Sequence, residues 1–271
     1  WGHGHDALRC FLQMQREGVF PNEVTFMCVL KACGSIGKVD KGEEIHDTIV
    51  KKGLLSKNIR LATSLVNMYA KCGLLAKAHQ VHNELPVQNV VSWNALIAGY
   101  AQHEKAPEIF DCFAQMKREG FSPDEVTFTC ILKACSITKD VAKGEEIHDE
   151  ILKKDLLEKG IELGNALVDM YAKCGMLQEA QHVVQELSLQ DVVSWNALIS
   201  GYVRNDEAHE ALDCFGQMQR KGFLPDGITF ASVLGACGHI GATGKGQQIH
   251  NEIINRSLLE KNVVLGNALI D

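Results

Sequence analysis

The chain repeats itself at one fixed distance. Residues 90–97, VVSWNALI, recur unchanged at 192–199, an offset of 102 positions. Residues 41–47, KGEEIHD, return at 143–149 and, as KGQQIHN, at 245–251. MYAKCG at 68–73 returns at 170–175, and Pro21, Pro123 and Pro225 keep the same spacing. A period running through all 271 residues makes the chain an array, in which each unit buries its apolar surface against its neighbours.

A finer beat lies inside each period. Units of 35, 36 and 31 residues fall at 90–124, 125–160 and 161–191, then at 192–226 and 227–262. Units 23–58 and 59–89 precede them, and partial units occupy 1–22 and 263–271. Both ends therefore fall inside a unit, which is the expectation for a piece of a longer array. Each unit reads as two helices. Trp93, Leu96, Ile97 and Tyr100 follow the i, i+3, i+4, i+7 spacing of one apolar helical face, and Ile109, Phe110, Phe113 and Met116 make a second. Pro107 suits a first helical turn, and Gly120 and Gly175 suit left-handed stops. Seven whole hairpins and two halves predict sixteen helices.

Composition narrows the classes. With 46% hydrophobic and 23% charged residues, the chain is neither disordered nor fibrous. A net charge of -7 argues against binding through a bulk basic surface and leaves room for a local basic groove. The longest uncharged stretch, 85–103, is too polar to span a membrane, and no basic-plus-apolar signal opens the chain.

Alternating units that carry VVSWNALI, EVTF, KGEEIHD and NALVDMYAKCG resemble the pentatricopeptide repeat family of land plants. The 35/36/31 alternation resembles its PLS subclass of P, L and S units. A tetratricopeptide array, with a constant period of about 34 residues, does not fit. The resemblance implies an all-α solenoid of helical hairpins forming a right-handed superhelix. It also implies binding of single-stranded RNA, one base per hairpin. The informative side chains are then the fifth and last of each unit, with the second sandwiching the base. Thr63 and Asn89 would read adenine. Asn94 with Asp124, Asn165 with Asp191, and Asn196 with Asp226 would read uracil, and Asn267 a pyrimidine. The sandwiching positions are Val91, Val126, Val193 and Val264, with Ile228 conservative. Arg60 and Glu162 break that column in two S units. The L pairs Met27/Asn58, Thr129/Gly160 and Ala231/Asn262 are assigned no base. With RNA running parallel to the chain, the implied core is A-U-n-U-U-n-Y.

Plainer readings compete at several positions. Every last residue precedes a helix, where Asn, Asp and Gly are favoured N-caps. Asn94, Asn165, Asn196 and Asn267 sit one turn inside, where capping does not ask for asparagine. All ten cysteines fall in columns of the repeat and none forms Cys-x-x-Cys, so they read as small buried hydrophobes. His82-Asn83-Glu84, His148-Asp149-Glu150 and His250-Asn251-Glu252 match half of a zinc deaminase signature, but the Cys-x-x-Cys half is missing. His148 and His250 are expected to pack between helices. Lys51-Lys52 and Lys153-Lys154 complement helix C-termini.

The expectation is a non-catalytic binder of single-stranded RNA, with no cofactor, metal, membrane or small-molecule substrate. The PLS resemblance implies the site-recognition part of a C-to-U RNA editing factor in a plant mitochondrion or chloroplast, with organellar editing-factor proteins as further partners. Two other readings stay open: a protein-interaction scaffold, which the acidic charge favours, and an RNA stability or processing factor.

Overall fold

The computed structural model describes residues 3–55, 58–158, 160–259 and 263–270. It contains sixteen α-helices and, among the described residues, no strand. Contacts divide the chain into two compact units, one through Ala134 and one from Cys135.

The first compact unit opens with α1 (His3–Arg16), followed by the hairpin α2 (Glu23–Ile36) and α3 (Val39–Lys51). The pairs α4 (Ile59–Lys71) with α5 (Leu75–Asn83) and α6 (Val90–Gln102) with α7 (Ala106–Arg118) come next. Helix α8 (Glu125–Thr138) carries the chain into the second compact unit, where α9 (Val141–Lys153) follows. Then come α10 (Ile161–Lys173), α11 (Leu177–Glu186), α12 (Val192–Arg204), α13 (Ala208–Arg220), α14 (Gly227–His239), α15 (Thr243–Asn255) and α16 (Val263–Ile270).

First helices pack on first helices. In one unit α2 lies on α4 and α4 on α6; in the other α10 lies on α12, α12 on α14 and α14 on α16. Second helices stack against the first helix of their own hairpin, as α5 does on α4 and α13 on α12. The core is the resulting seam: Trp93, Leu96 and Ile97 are fully buried on α6, as are Ile109 and Met116 on α7. Small residues set the spacing. A Cβ on Gly99 would sit 2.5 Å from the Cβ of Ala70, and one on Gly201 would sit 2.7 Å from that of Ala172. Hence α4 and α6, and α10 and α12, approach more closely than any larger pair permits.

Turns follow the local chemistry. Gly73 and Gly175 take φ of 79° and 80°, and the amides of Leu74 and Met176 close back on the carbonyls of Tyr69 and Tyr171 at 3.0 Å. That is a left-handed helix stop that glycine adopts without a Cβ penalty. Pro107 stands in the first turn of α7, where its missing N–H costs no helical bond. His46 and His148 tie adjacent hairpins together: their Nδ1 atoms lie 2.9 and 3.0 Å from the hydroxyls of Tyr69 and Tyr171. His250 differs: its Nδ1 lies 3.5 Å from Nε2 of the exposed Gln247 on its own helix.

The cysteines split. Cys33, Cys112, Cys135, Cys214 and Cys237 are buried, but Cys28 is exposed, and so is Cys10, although its column partners Cys112 and Cys214 are enclosed. Burial pushes the Cys112, Cys135 and Cys214 thiols up to about 12. All ten thiols are free. No described helix is long and apolar enough to cross a membrane.

Candidate nucleic-acid interface

The ends of the units meet the starts of the next first helices, and this is where the predicted reading residues gather. Asp226 caps α14: its Oδ1 accepts from the amides of Ile228 and Thr229, each at 2.9 Å. Asn196, one turn inside α12 and buried, donates from Nδ2 to the same Oδ1 at 3.0 Å. The Thr229 hydroxyl donates to Asn196 Oδ1 at 2.6 Å, closing a three-residue cluster. One period earlier the cluster recurs. Asn94 Nδ2 lies 2.8 and 2.9 Å from the two carboxylate oxygens of Asp124, and Thr127 donates to Asn94 Oδ1 at 2.6 Å. Asp124 Oδ1 also accepts from the Thr127 amide at 3.0 Å.

The threonines are the residues that sequence reasoning missed. Their signal was present: Asp124-x-x-Thr127 and Asp226-x-x-Thr229 have capping-box spacing. In both, the Asp amide bonds the Thr hydroxyl in return, at 3.3 and 3.0 Å.

The S units are built differently. Asn165 Nδ2 reaches Asp191 Oδ2 at 3.2 Å, but the capping partner there is Ser194, and no hydroxyl reaches Asn165 Oδ1. That buried oxygen has no partner in the structure. Asn89 caps α6 through Ser92, at 2.9 Å, and is half-buried. Thr63 is buried and turns its hydroxyl to the Ile59 carbonyl of its own helix, at 2.8 Å. Among the described residues no hydrogen bond joins Thr63 to Asn89. Asn267 is exposed on α16, while Asn262 and the side chain of Val264 lie outside the described residues.

Beside these polar clusters stand apolar side chains with no covering. Val91 is 60% exposed, Val126 51%, Val193 57% and Ile228 61%, all at the second position of their helices. Val24 has the same place in α2 and the same 60% exposure. Arg60 and Glu162 are exposed at the equivalent places in α4 and α10. A valine one residue past a helix start is not asked for by the core. Its recurrence places an exposed apolar side chain beside each polar pair.

The histidines of the half-signature do not gather. His82 is fully enclosed in α5, its ring centroid 4.3 Å from that of Trp93, and burial pulls its pKa down to about 4. No group of three or more His, Cys, Asp or Glu able to hold a metal occurs among the described residues.

Comparison with known proteins decides the family. The PPR repeat family model matches residues 88–136 and 190–239, and the PPR repeat model matches 24–54, 61–90, 126–156 and 165–191. The chain belongs to the pentatricopeptide repeat family. A mitochondrial pentatricopeptide repeat-containing protein of Arabidopsis thaliana is 37% identical over 275 residues, covering 100% of this chain and 26% of that protein. The chloroplastic CRR2 of the same plant is 39% identical, covering 92% of this chain and 38% of its own length. The chain thus spans well under half the length of these curated relatives. Among solved structures, a tetratricopeptide repeat protein from Parabacteroides merdae matches 98% of this chain and 97% of its own, with a TM-score of 0.56 at 11% identity, a likeness of fold. PPR10 in complex with an 18-nt psaJ RNA element matches 99% of this chain and 50% of its own at a TM-score of 0.46 and 17% identity.

Proposed function

We propose that this pentatricopeptide array binds single-stranded RNA, each P and S hairpin reading one base. The observation that carries the reading is the cluster of Asn196, Asp226 and Thr229 with its repeat at Asn94, Asp124 and Thr127. Capping accounts for Asp226 Oδ1. It does not account for a buried asparagine pinned at both ends of its amide, nor for exposed Val193 and Ile228 alongside. Asp226 Oδ2 has no protein partner among the described residues. A carboxylate oxygen only accepts, so it suits a base with an N–H at its Watson–Crick edge. At N3 uracil offers an N–H, whereas cytosine offers a lone pair there and its donor only at N4, so an oxygen aimed at N3 favours uracil.

On the family's pairing scheme the array reads A-U-n-U-U-n-Y in the 5′ to 3′ direction, with Val91, Val126, Val193 and Val264 sandwiching bases. Arg60 can stack on a base or meet a phosphate, whereas Glu162 repels phosphate and weakens the hairpin of Asn165 and Asp191. The PLS-like alternation, together with relatives named mitochondrial and chloroplastic, supports an organellar RNA editing factor as the parent, this segment supplying site recognition and not catalysis. Editing-factor proteins are then its protein partners.

Asp226→Asn tests the reading. Asparagine caps a helix about as well as aspartate, and its amide can turn an N–H toward an acceptor. The substitution should move the preferred base at this one position from U to C and leave the melting temperature nearly unchanged. Competition binding with U- and C-containing strands measures it, and an unchanged preference refutes the assignment.

A further inference from the structure

A cavity of about 320 Å³ lies between α2 and α4, at the small end of the range that holds organic ligands. All of its lining comes from these two first helices. Met27, Cys28, Leu30 and Met68 give it an apolar floor, and Ser64 and Asn67 add short polar groups. Lys31 and Lys71 complete the wall; both are exposed, and neither has an ion-pair partner among the described residues. Met27 holds in its unit the fifth place that Asn94 and Asn196 hold in theirs. The cavity therefore lies on the face that carries the polar clusters.

The 102-residue repeat supplies an internal control. One period on, Lys71 becomes Lys173, whose Nζ lies 2.7 Å from Asp169 Oδ2; the first copy has Asn67 in place of that carboxylate. Met27 becomes Thr129, Ser64 becomes Ala166 and Gly34 becomes Ser136. The first copy thus lacks the neutralising acid and brings a thioether, Met27, to the place where the P units carry amides, while the buried Met68 beside it is kept as Met170. Sulfur and aliphatic carbon make a soft, sequence-tolerant surface for an aromatic ring. Two unneutralised ammonium groups beside it suit a phosphate. The two halves of the cavity match the two halves of a nucleotide.

We propose that unit 23–58, which has no polar reading pair, takes the base of its own nucleotide into this cavity whatever its identity, with Lys31 and Lys71 meeting the adjacent phosphate. The proposal rests on the RNA reading above and goes beyond it, because that reading assigns this unit no base. The bound RNA site then begins one nucleotide earlier, as n-A-U-n-U-U-n-Y.

The test uses the full chain with the strand A-A-U-A-U-U-A-U and two derivatives that are abasic at the first or the fourth nucleotide. Loss of the first base should weaken binding about tenfold, the lower part of the range for stacking one base, and loss of the fourth should have little effect. Intact RNA should slow alkylation of Cys28 by a maleimide and leave Cys10, exposed on α1, unchanged. Asn67→Asp, which imports the carboxylate of the next period, should weaken binding of the intact strand without lowering the melting temperature. If all three strands bind equally and Cys28 stays unprotected while U-to-C swaps at the polar columns still weaken binding, the cavity proposal fails alone. If the intact strand does not bind at all, the RNA reading fails and takes the proposal with it.

Discussion

His82→Val removes a polar group that the fold has no use for, and the chain contains its own precedent: the residue 102 positions later is Val184, likewise buried. His82 is fully enclosed, its Nε2 lies 3.4 Å from the Ser92 hydroxyl, and its buried Nδ1 has no hydrogen-bond partner. Burial lowers its pKa from 6.5 to about 4. In the unfolded chain the ring takes a proton near pH 6.5, whereas in the fold it resists until about pH 4. Between those values the unfolded state binds more protons, so stability falls as the pH falls. At 1.36 kcal/mol per unit, this one group removes roughly 3 kcal/mol across the window. Above pH 6.5 the variant should already match or exceed wild type. An unpartnered buried nitrogen costs about 1–3 kcal/mol, offset in part by the lost contact with Trp93. The advantage should then widen by roughly 3 kcal/mol toward pH 4, or about 6–12 °C in melting temperature for a domain of this size. Thermal melts of both proteins at pH 7.5, 5.5 and 4.2, followed by circular dichroism, measure it. Parallel pH curves for wild type and variant would refute the argument. Val184→His should create the same acid sensitivity in the second compact unit.

Three further outcomes follow from the geometry. Asn89→Asp keeps an equivalent cap on α6 but exchanges an amide for an acceptor, so preference at that position should move from A to G, by about 1 kcal/mol or more, in competition binding. Gly99→Ala places a methyl 2.5 Å from Ala70 Cβ and should cost about 1–3 kcal/mol; Ala70→Gly in the same chain should recover part of it, and additive losses in urea melts would contradict the crossing described. Thiol labelling of the native protein at pH 7.5 should modify Cys10 and Cys28 quickly and spare Cys112 and Cys214, whose thiols burial holds near 12. Rapid loss of all ten thiols without denaturant would exclude that packing.

The sequence by itself determined the array. Helix faces, glycine stops and the proline in α7 follow from rules that reach only a few residues along the chain, and the 102-residue period repeats the faces and the stops. The choice of Asn94, Asp124, Asn196 and Asp226 was also legible, though through family likeness and capping logic, since no periodicity joins residues 30 apart. What only the tertiary structure decided is which side chains meet. Stacking of first helix on first helix brings Thr127 and Thr229 onto the amides of Asn94 and Asn196, yet leaves Asn165 Oδ1 bare and turns Thr63 into its own helix. The same stacking encloses His82 against Trp93 and buries Cys112 and Cys214 while Cys10, of the same column, stays exposed. Local propensity fixes each helix, but a side chain's hydrogen-bond partners and its hydration are set by neighbours that the chain brings together from a whole unit away.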